Sequence, residues 1–333
     1  MIDLMHKKVV LFCPSFFGYD QSIKKEVESI GATVDLYDER PFESTIGKAI
    51  LRFNLSWMVS WYIEQYFFRL LLPRVHDIDY LIFINPESVS SSVIDKLRRA
   101  NPRIKIIVYM WDSFKNKPAA RQLLKLVDCF FTFDPDDSTV FDIFFLPLFY
   151  VNEYSQIRAK MSQNSLRTYQ LSFIGTAHTK RYKIVKGIMK DIERVFLFLY
   201  TPSKFVFLYK KYICGELGEL SFSSVSSRAM LRNDVVAIVA DSNAVIDVNH
   251  PDQVGLTMRT LEVLGAGRKL ITTNHNIIKY DFYNENNILV YDESIDKSLV
   301  MEFLNKPYVK LDEKLYNSYS LSSWVEKLFC LER

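Results

Sequence analysis

Cysteine is scarce: Cys13, Cys129, Cys214 and Cys330 are scattered over 333 residues with no paired spacing. That argues against a zinc site and fits a reducing cytoplasm. A dominant charge of either sign is also missing. The formal net charge is +3, too small to argue for a nucleic-acid partner. No uncharged apolar run approaches the ~20 residues needed to span a bilayer. The most apolar segment, Ile46 to Val75, is broken by Arg52, Glu64, Arg69 and Arg74. Near the N-terminus, Lys7-Lys8 lead only into the brief run Val9 to Cys13, which predicts a strand rather than a signal peptide. What is present is 49% hydrophobic and 24% charged residues, the composition of a globular protein with a sizeable core. Aromatics are abundant, at 25 Phe and 19 Tyr. A chain of 333 residues implies two domains.

Residues 1–152 read as one α/β domain. Strands are predicted at Lys8 to Cys13, Ala32 to Tyr37, Tyr80 to Asn85, Ile104 to Met110, Cys129 to Phe133 and Phe145 to Phe149. Helices are predicted at Asp20 to Ile30, with Asp20 as cap, at Ser91 to Ala100 and at Pro118 to Leu126. Alternation of this kind indicates a doubly wound parallel sheet. The segment 46–75 has two readings. It is a core helix, or an interfacial patch in which Trp57 and Trp61 enter a headgroup region while Lys48, Arg52, Arg69 and Arg74 meet anionic lipid. The polar stretch 153–168 reads as a linker.

A second domain follows over 169–318. Gln170 to Ile174 is a strand, and Gly175-Thr176-Ala177-His178-Thr179-Lys180-Arg181 comes next. Gly175 permits a tight turn, Thr179 caps a helix over Lys180 to Asp191, and Lys180 and Arg181 set positive charge at a strand's carboxyl end. Further on, a strand at Val195 to Tyr200, a helix at Ser203 to Cys214 and a helix at Ser226 to Ala240 are expected. Residues 319–333 hold an amphipathic helix.

The richest stretch is Ala244 to Asn274. Ala244 to Val248 is a short, β-branched apolar run, the mark of a buried strand. Asn249 to Val254 is polar and turns at His250-Pro251. From Gly255, the residues Leu256, Leu261, Val263 and Leu264 predict a helix stopped by Gly265-Ala266-Gly267, and Lys269 to Thr273 predicts a strand. Such a unit makes a parallel pair with a right-handed crossover, and ligands bind beyond its strands' carboxyl ends. The helix entrance at Gly255, Leu256 and Thr257 offers free N–H groups and a positive dipole end to an anion. Arg259 adds a cationic fork for phosphate, and Glu262 can accept two ribose hydroxyls. Asp247 ends the first strand, and His250 and His275 flank the same place.

Glu262-Val263-Leu264-Gly265-Ala266-Gly267, running into Lys269-Leu270-Ile271-Thr272-Thr273, resembles the nucleotide-sugar motif of GT-B glycosyltransferases. The preceding Gly255-Leu256-Thr257-Met258-Arg259-Thr260-Leu261 is similar to the bacterial branch near the spore-coat and lipopolysaccharide enzymes. The likeness is specific over about 35 residues. It implies a GT-B fold of two Rossmann-like, doubly wound parallel-sheet domains facing a central cleft. It also implies that the loop after the second domain's first strand approaches the donor diphosphate, which nominates Gly175, Thr176, His178 and Arg181. It implies that the last helix crosses back to the first domain. Many retaining members carry an acidic residue just before the Gly; here Asp252-Gln253 stand at a longer spacing from Glu262, so the anomeric outcome stays open.

Asp134-Pro135-Asp136 and Asp77-Ile78-Asp79 spell the D-x-D metal motif of the GT-A fold. Their place in the first half, away from the phosphate-binding features, favours turn and cap roles instead, so no metal and no cofactor is expected. Glycosyl transfer needs a base for the acceptor hydroxyl. Asp20, Glu87, Asp112 and Asp134 stand at strand ends, and Asp112, beside Trp111, is the first choice. The expectation is a metal-independent, cytoplasmic or peripheral membrane glycosyltransferase acting at the inner face of the plasma membrane. It would pass a sugar from a nucleoside-diphosphate donor to a lipopolysaccharide, O-antigen or capsule acceptor, free or lipid-linked. A nucleotide-sugar epimerase of the same build and a non-catalytic nucleotide-sugar-binding subunit are the alternatives.

Overall fold

The computed structural model describes residues 4–39, 60–160, 167–218, 220–250 and 253–329. Residues 46–59 of the apolar segment, with Trp57, lie outside them, as do 161–166 of the polar stretch and Pro251-Asp252. The chain divides into two compact units, Met1–Leu148 with Leu321–Arg333, and Phe149–Ser320.

The first unit holds β1 (Lys8–Phe12), α1 (Tyr19–Ser29), β2 (Thr33–Tyr37), α2 (Ser60–Leu71), β3 (Tyr80–Ile84), α3 (Ser91–Ala100), β4 (Lys105–Met110), β5 (Cys129–Thr132), α4 (Pro135–Phe141) and β6 (Phe144–Phe145). Its strands form one sheet in the order β2-β1-β3-β4-β5-β6, every pair parallel. Parallel strands are covered on both faces and so read as unbroken apolar runs. Leu81, Ile106 and Val108 are fully buried, and each such side chain contributes about 1.5–3 kcal/mol. α3 forms where Ser90 accepts the Val93 N–H, and it turns Val93, Ile94 and Leu97 inward.

Several local expectations give way to longer-range contacts. Asp20 does not cap α1: Gly18, in the left-handed region at φ 73, is the cap residue, and Asp20 lies buried in the first turn. Pro118–Leu123 forms a 3₁₀ turn rather than a longer helix, and past β5 only Phe144–Phe145 pairs as strand. In α2, Ile63, Phe67 and Leu71 enter the core, while Trp61 and Tyr62 remain exposed. No helix among the described residues is long and apolar enough to cross a membrane.

Glu39 is buried in this unit. Its Oε1 accepts the N–H groups of Glu87 and Ser88, and Ser88 Oγ donates to its carbonyl at 2.9 Å. Burial pushes its carboxyl up to about 8, with the charges of Glu87 and Asp38 adding and the two N–H donors opposing. Between the ordinary value of 4.5 and about 8, the folded chain keeps a proton that the unfolded chain releases. Stability therefore falls as pH rises through that window, by an amount on the order of a few kcal/mol. Glu39→Gln has no such proton to lose. Urea unfolding midpoints at about pH 5.5 and about pH 8.5 should drop in the parent and stay level in the variant. Equal drops would clear Glu39 of the effect.

The second unit holds α5 (Asn152–Ala159), β7 (Tyr169–Thr176), α6 (Thr179–Met189), β8 (Val195–Tyr200), α7 (Lys204–Tyr212), α8 (Arg232–Ala240), β9 (Ser242–Asp247), α9 (Met258–Ala266), β10 (Lys269–Thr272), β11 (Ile288–Val290) and α10 (Lys297–Asn305). The order is β11-β10-β9-β7-β8, again all parallel. Residues 153–159, read above as the start of a linker, belong to α5, which packs on α9. α8 begins at Arg232 rather than Ser226, because Ser226 bridges to Tyr200 at the end of β8. Lys269 is buried and donates to the carbonyls of Phe303, Leu304 and Lys306, which ties β10 to the last turn of α10.

Candidate functional site

β9 lies between β7 and β10, so the carboxyl ends of these three strands stand side by side. The corner from β9 into α9 is anchored by Asp247. Its Oδ2 accepts the hydroxyls of Thr257 at 2.5 Å and Thr260 at 2.7 Å. Thr257 Oγ1 also accepts the Thr260 N–H, so Thr257 is the cap and the helix starts at Met258, not at Gly255. Gly255 and Leu256 are buried in the approach. Asn274 Nδ2 donates to the carbonyls of Val254 and Gly255, and Gln253 Nε2 also reaches Gly255. Thr273 Oγ1 donates to Asn249 Oδ1 at 2.5 Å. Burial raises the Asp247 carboxyl, while the two threonine hydroxyls and the charges of Arg259 and Arg181 oppose the rise.

Arg259 and Glu262 pair with each other one turn apart, at 2.6 Å, and Glu262 is 7% exposed. Burial raises the pKa of the Tyr154 hydroxyl of α5, and the charge of the same carboxylate adds to the rise. In this conformation the fork and the carboxylate expected to hold phosphate and ribose compensate one another inside the unit.

The open space lies next to them. A cleft of about 1070 Å³ is walled by Thr176, His178, Lys180, Arg181, Lys183, Lys210, Glu216, Asn249, His250 and Thr273. Of the residues nominated from sequence, Thr176, His178, Arg181 and His250 line it; Gly255, Leu256, Thr257, Arg259 and Glu262 do not. Gly175 is no turn residue: β7 runs through it, pairing Gly175 with Leu199 and Thr176 with Tyr200. Thr179 does not cap α6. His178 takes the cap position, and Thr179 Oγ1 instead accepts the Leu217 N–H at 2.5 Å. Arg181 is held by Thr176, through Oγ1 at 2.6 Å and the carbonyl at 3.3 Å. Burial lowers the Arg181 pKa, and Asp247 opposes that shift. His178 is lowered by burial; Glu216 resists, while Arg181, Lys210 and His250 add to it.

The cleft wall therefore carries four Lys or Arg side chains and one carboxylate, Glu216, which sits 3.5 Å from Lys210. The opening turn of α6 adds backbone N–H groups. Such a wall suits a polyanion. Lys183 was legible in principle, since it falls one turn after Lys180 on the same helix. Lys210 and Glu216 were not, because only the fold brings α7 beside α6.

In the first unit, Asp112 follows β4, and its Oδ1 accepts the Ser113 N–H at 3.0 Å and Asn116 Nδ2 at 2.8 Å. Asp134 caps α4 by accepting the Asp136 and Asp137 N–H groups. Asp79 accepts Lys7 Nζ and the Lys8 N–H, and Glu87 pairs with Lys117. These D-x-D carboxylates thus serve as cap and anchor.

No protein-family model matches the sequence, and no curated protein matches it. Solved structures do. An α-glucosyltransferase in complex with UDP and a mismatched DNA is 14% identical, with a TM-score of 0.56 over 98% of this chain and 96% of that one. Anabaena HepE in complex with UDP is 11% identical, with a TM-score of 0.57 over 97% and 98%. AviGT4, a glycosyltransferase involved in avilamycin A biosynthesis, is 11% identical, with a TM-score of 0.55 over 96% and 95%. With its two parallel, Rossmann-like sheets, the chain has the GT-B fold shared by these structures.

Proposed function

We propose that this chain is a glycosyltransferase that takes a sugar from a nucleoside diphosphate held in the second unit. The carrying observation is the cationic cleft at the carboxyl ends of β7, β9 and β10. In the transfer, the acceptor oxygen bonds to the anomeric carbon and the bond from that carbon to the diphosphate oxygen breaks. The electron pair leaves with the diphosphate, whose negative charge grows. Arg181, Lys180, Lys183, Lys210 and the first N–H groups of α6 meet that charge, which is where fixed positive groups lower a barrier most. Asp247, Thr257 and Thr260 hold the β9–α9 corner. Arg259 and Glu262 would turn their pair outward to engage the ribose. UDP is the first nucleotide to test, because similar structures hold it. The acceptor is a bacterial surface glycan, in keeping with the sequence resemblance around Glu262.

A thermal-shift panel of nucleotides and nucleotide sugars tests the donor site. A ligand present at about 100 times its Kd adds ~2.7 kcal/mol of stability to the folded state alone. No shift with any activated sugar at millimolar levels would overturn the reading. Interconversion of the sugar without acceptor would mark an epimerase, and binding without any turnover a non-catalytic subunit. We assign the acceptor's proton to Asp112, which the Ser113 and Asn116 bonds orient at the end of a buried strand. Asp112→Asn should leave donor affinity within about twofold and lower turnover at least ~10²-fold. Unchanged turnover would remove Asp112 from the role.

A further inference from the structure

α7 is a helix turned the wrong way out. Only Phe207 of its large apolar residues enters the second unit's core, at 2% exposure. Phe205 is 78% exposed, Tyr209 51%, Tyr212 72% and, just past the helix, Ile213 72%. With Leu208, these fall at i, i+3, i+4, i+7 and i+8, which is one continuous stripe along a helix. A helix of a globular protein ordinarily turns such a stripe inward.

The charges beside the stripe say what covers it. α7 carries Lys204, Lys210 and Lys211, and α6 carries Lys180, Arg181, Lys183 and Lys186; neither helix contains Asp or Glu. The two helices adjoin, since the loop after α7 donates the Leu217 N–H to Thr179, and Lys210 shares the cleft wall with Lys180 and Lys183. Glu216, beyond the helix end, pairs with Lys210. Aromatic and aliphatic side chains bordered by basic residues, on a helix free of acids, complement an anionic bilayer surface.

We propose that α7 docks on an anionic lipid surface, inserting Phe205, Tyr209, Tyr212 and Ile213 among the headgroups while the exposed Lys204, one turn from Leu208, meets the lipid phosphates. The inference is separate from the sugar chemistry and stands whether or not a nucleotide binds. Because Lys210 belongs both to this helix and to the cleft, docking sets the cleft mouth at the membrane.

Flotation of the full chain with phosphatidylcholine vesicles, with and without about a third phosphatidylglycerol, tests this. The parent should float with the anionic vesicles, stay down with the neutral ones, and dissociate as salt rises. Phe205→Ser/Tyr212→Ser/Ile213→Ser changes exposed positions only, so its melting temperature should match the parent, and its bound fraction should fall at least ~10-fold. Lys204→Glu should weaken binding to anionic vesicles alone. Trp61→Ser, on the exposed face of α2, should float as the parent does. The proposal is overturned if the parent stays in solution, or if the triple variant floats normally. It is also overturned if Trp61→Ser alone abolishes flotation, or if light scattering shows a lipid-free dimer that the triple variant breaks while no form floats.

Discussion

Gly265→Ala should destabilise the second unit by about 2 kcal/mol net, although alanine is the better helix former by ~1 kcal/mol. A Cβ at position 265 would stand 2.6 Å from both Cβ and Cγ of Tyr150 and 2.9 Å from its Cδ2. Tyr150 has no room to retreat. Its ring stacks on Tyr316 with centroids 4.7 Å apart, and its hydroxyl donates to the Tyr316 carbonyl at 3.1 Å. Its own N–H reaches the Tyr319 carbonyl at 2.9 Å. Tyr316 in turn donates to the Gly265 carbonyl at 2.7 Å and lies under Arg158, whose guanidinium is 3.6 Å from the ring centroid. Arg158 is pinned by both oxygens of Glu313, at 3.0 and 3.2 Å. An added methyl group therefore meets a braced wall, and overpacking outweighs the gain in helix propensity. Urea unfolding followed by circular dichroism measures the loss. Gly265→Ala/Tyr150→Ala should be less destabilised than the sum of its single variants, because the first methyl then has space. Strict additivity would show that the two residues do not press on each other.

Arg181→Ala should weaken UDP binding at least ~10²-fold while leaving stability within about 1 kcal/mol, since a preorganised cation on a developing or standing phosphate charge is worth that much. Arg181 is half-exposed at the cleft, and the bonds that orient it run to Thr176, on the strand end just before α6. Removing it takes one opposing charge from the buried Asp247, but that carboxylate keeps the Thr257 and Thr260 hydroxyls and the charge of Arg259, which is why stability should hold. Arg181→Lys keeps the charge but loses the fork that Thr176 grips, so its affinity should fall between the two. Titration calorimetry with UDP, at two salt concentrations, reads all three proteins. A change of less than about twofold for Arg181→Ala would place the phosphates elsewhere.

The strands were the most legible part of this protein. Runs such as Val9-Val10-Leu11-Phe12 and Ile106-Ile107-Val108 are covered on both faces of a parallel sheet, so hydrophobicity alone marks them. Element ends were less legible, because partners far along the chain decide them. β7 continues through Gly175 since β8 is there to pair with it, and α9 waits until Thr257 since Asp247 holds that hydroxyl. The motif around Glu262 announced a nucleotide-sugar fold. Its glycine at 265, though, is explained by the Tyr150 ring, more than a hundred residues away in sequence.

By itself the sequence determined the two-sheet α/β architecture, because local periodicity and the strand–helix–strand order leave few ways to bury the apolar faces. Only tertiary structure decided which charged side chains share the cleft. Arg259 and Glu262 lie one turn apart on a buried helix and so close on each other, whereas Arg181, Lys183 and Lys210 come from two helices that the sheet sets side by side. Charge pairing depends on distance across the fold, and distance across the fold is not written in any single stretch of chain.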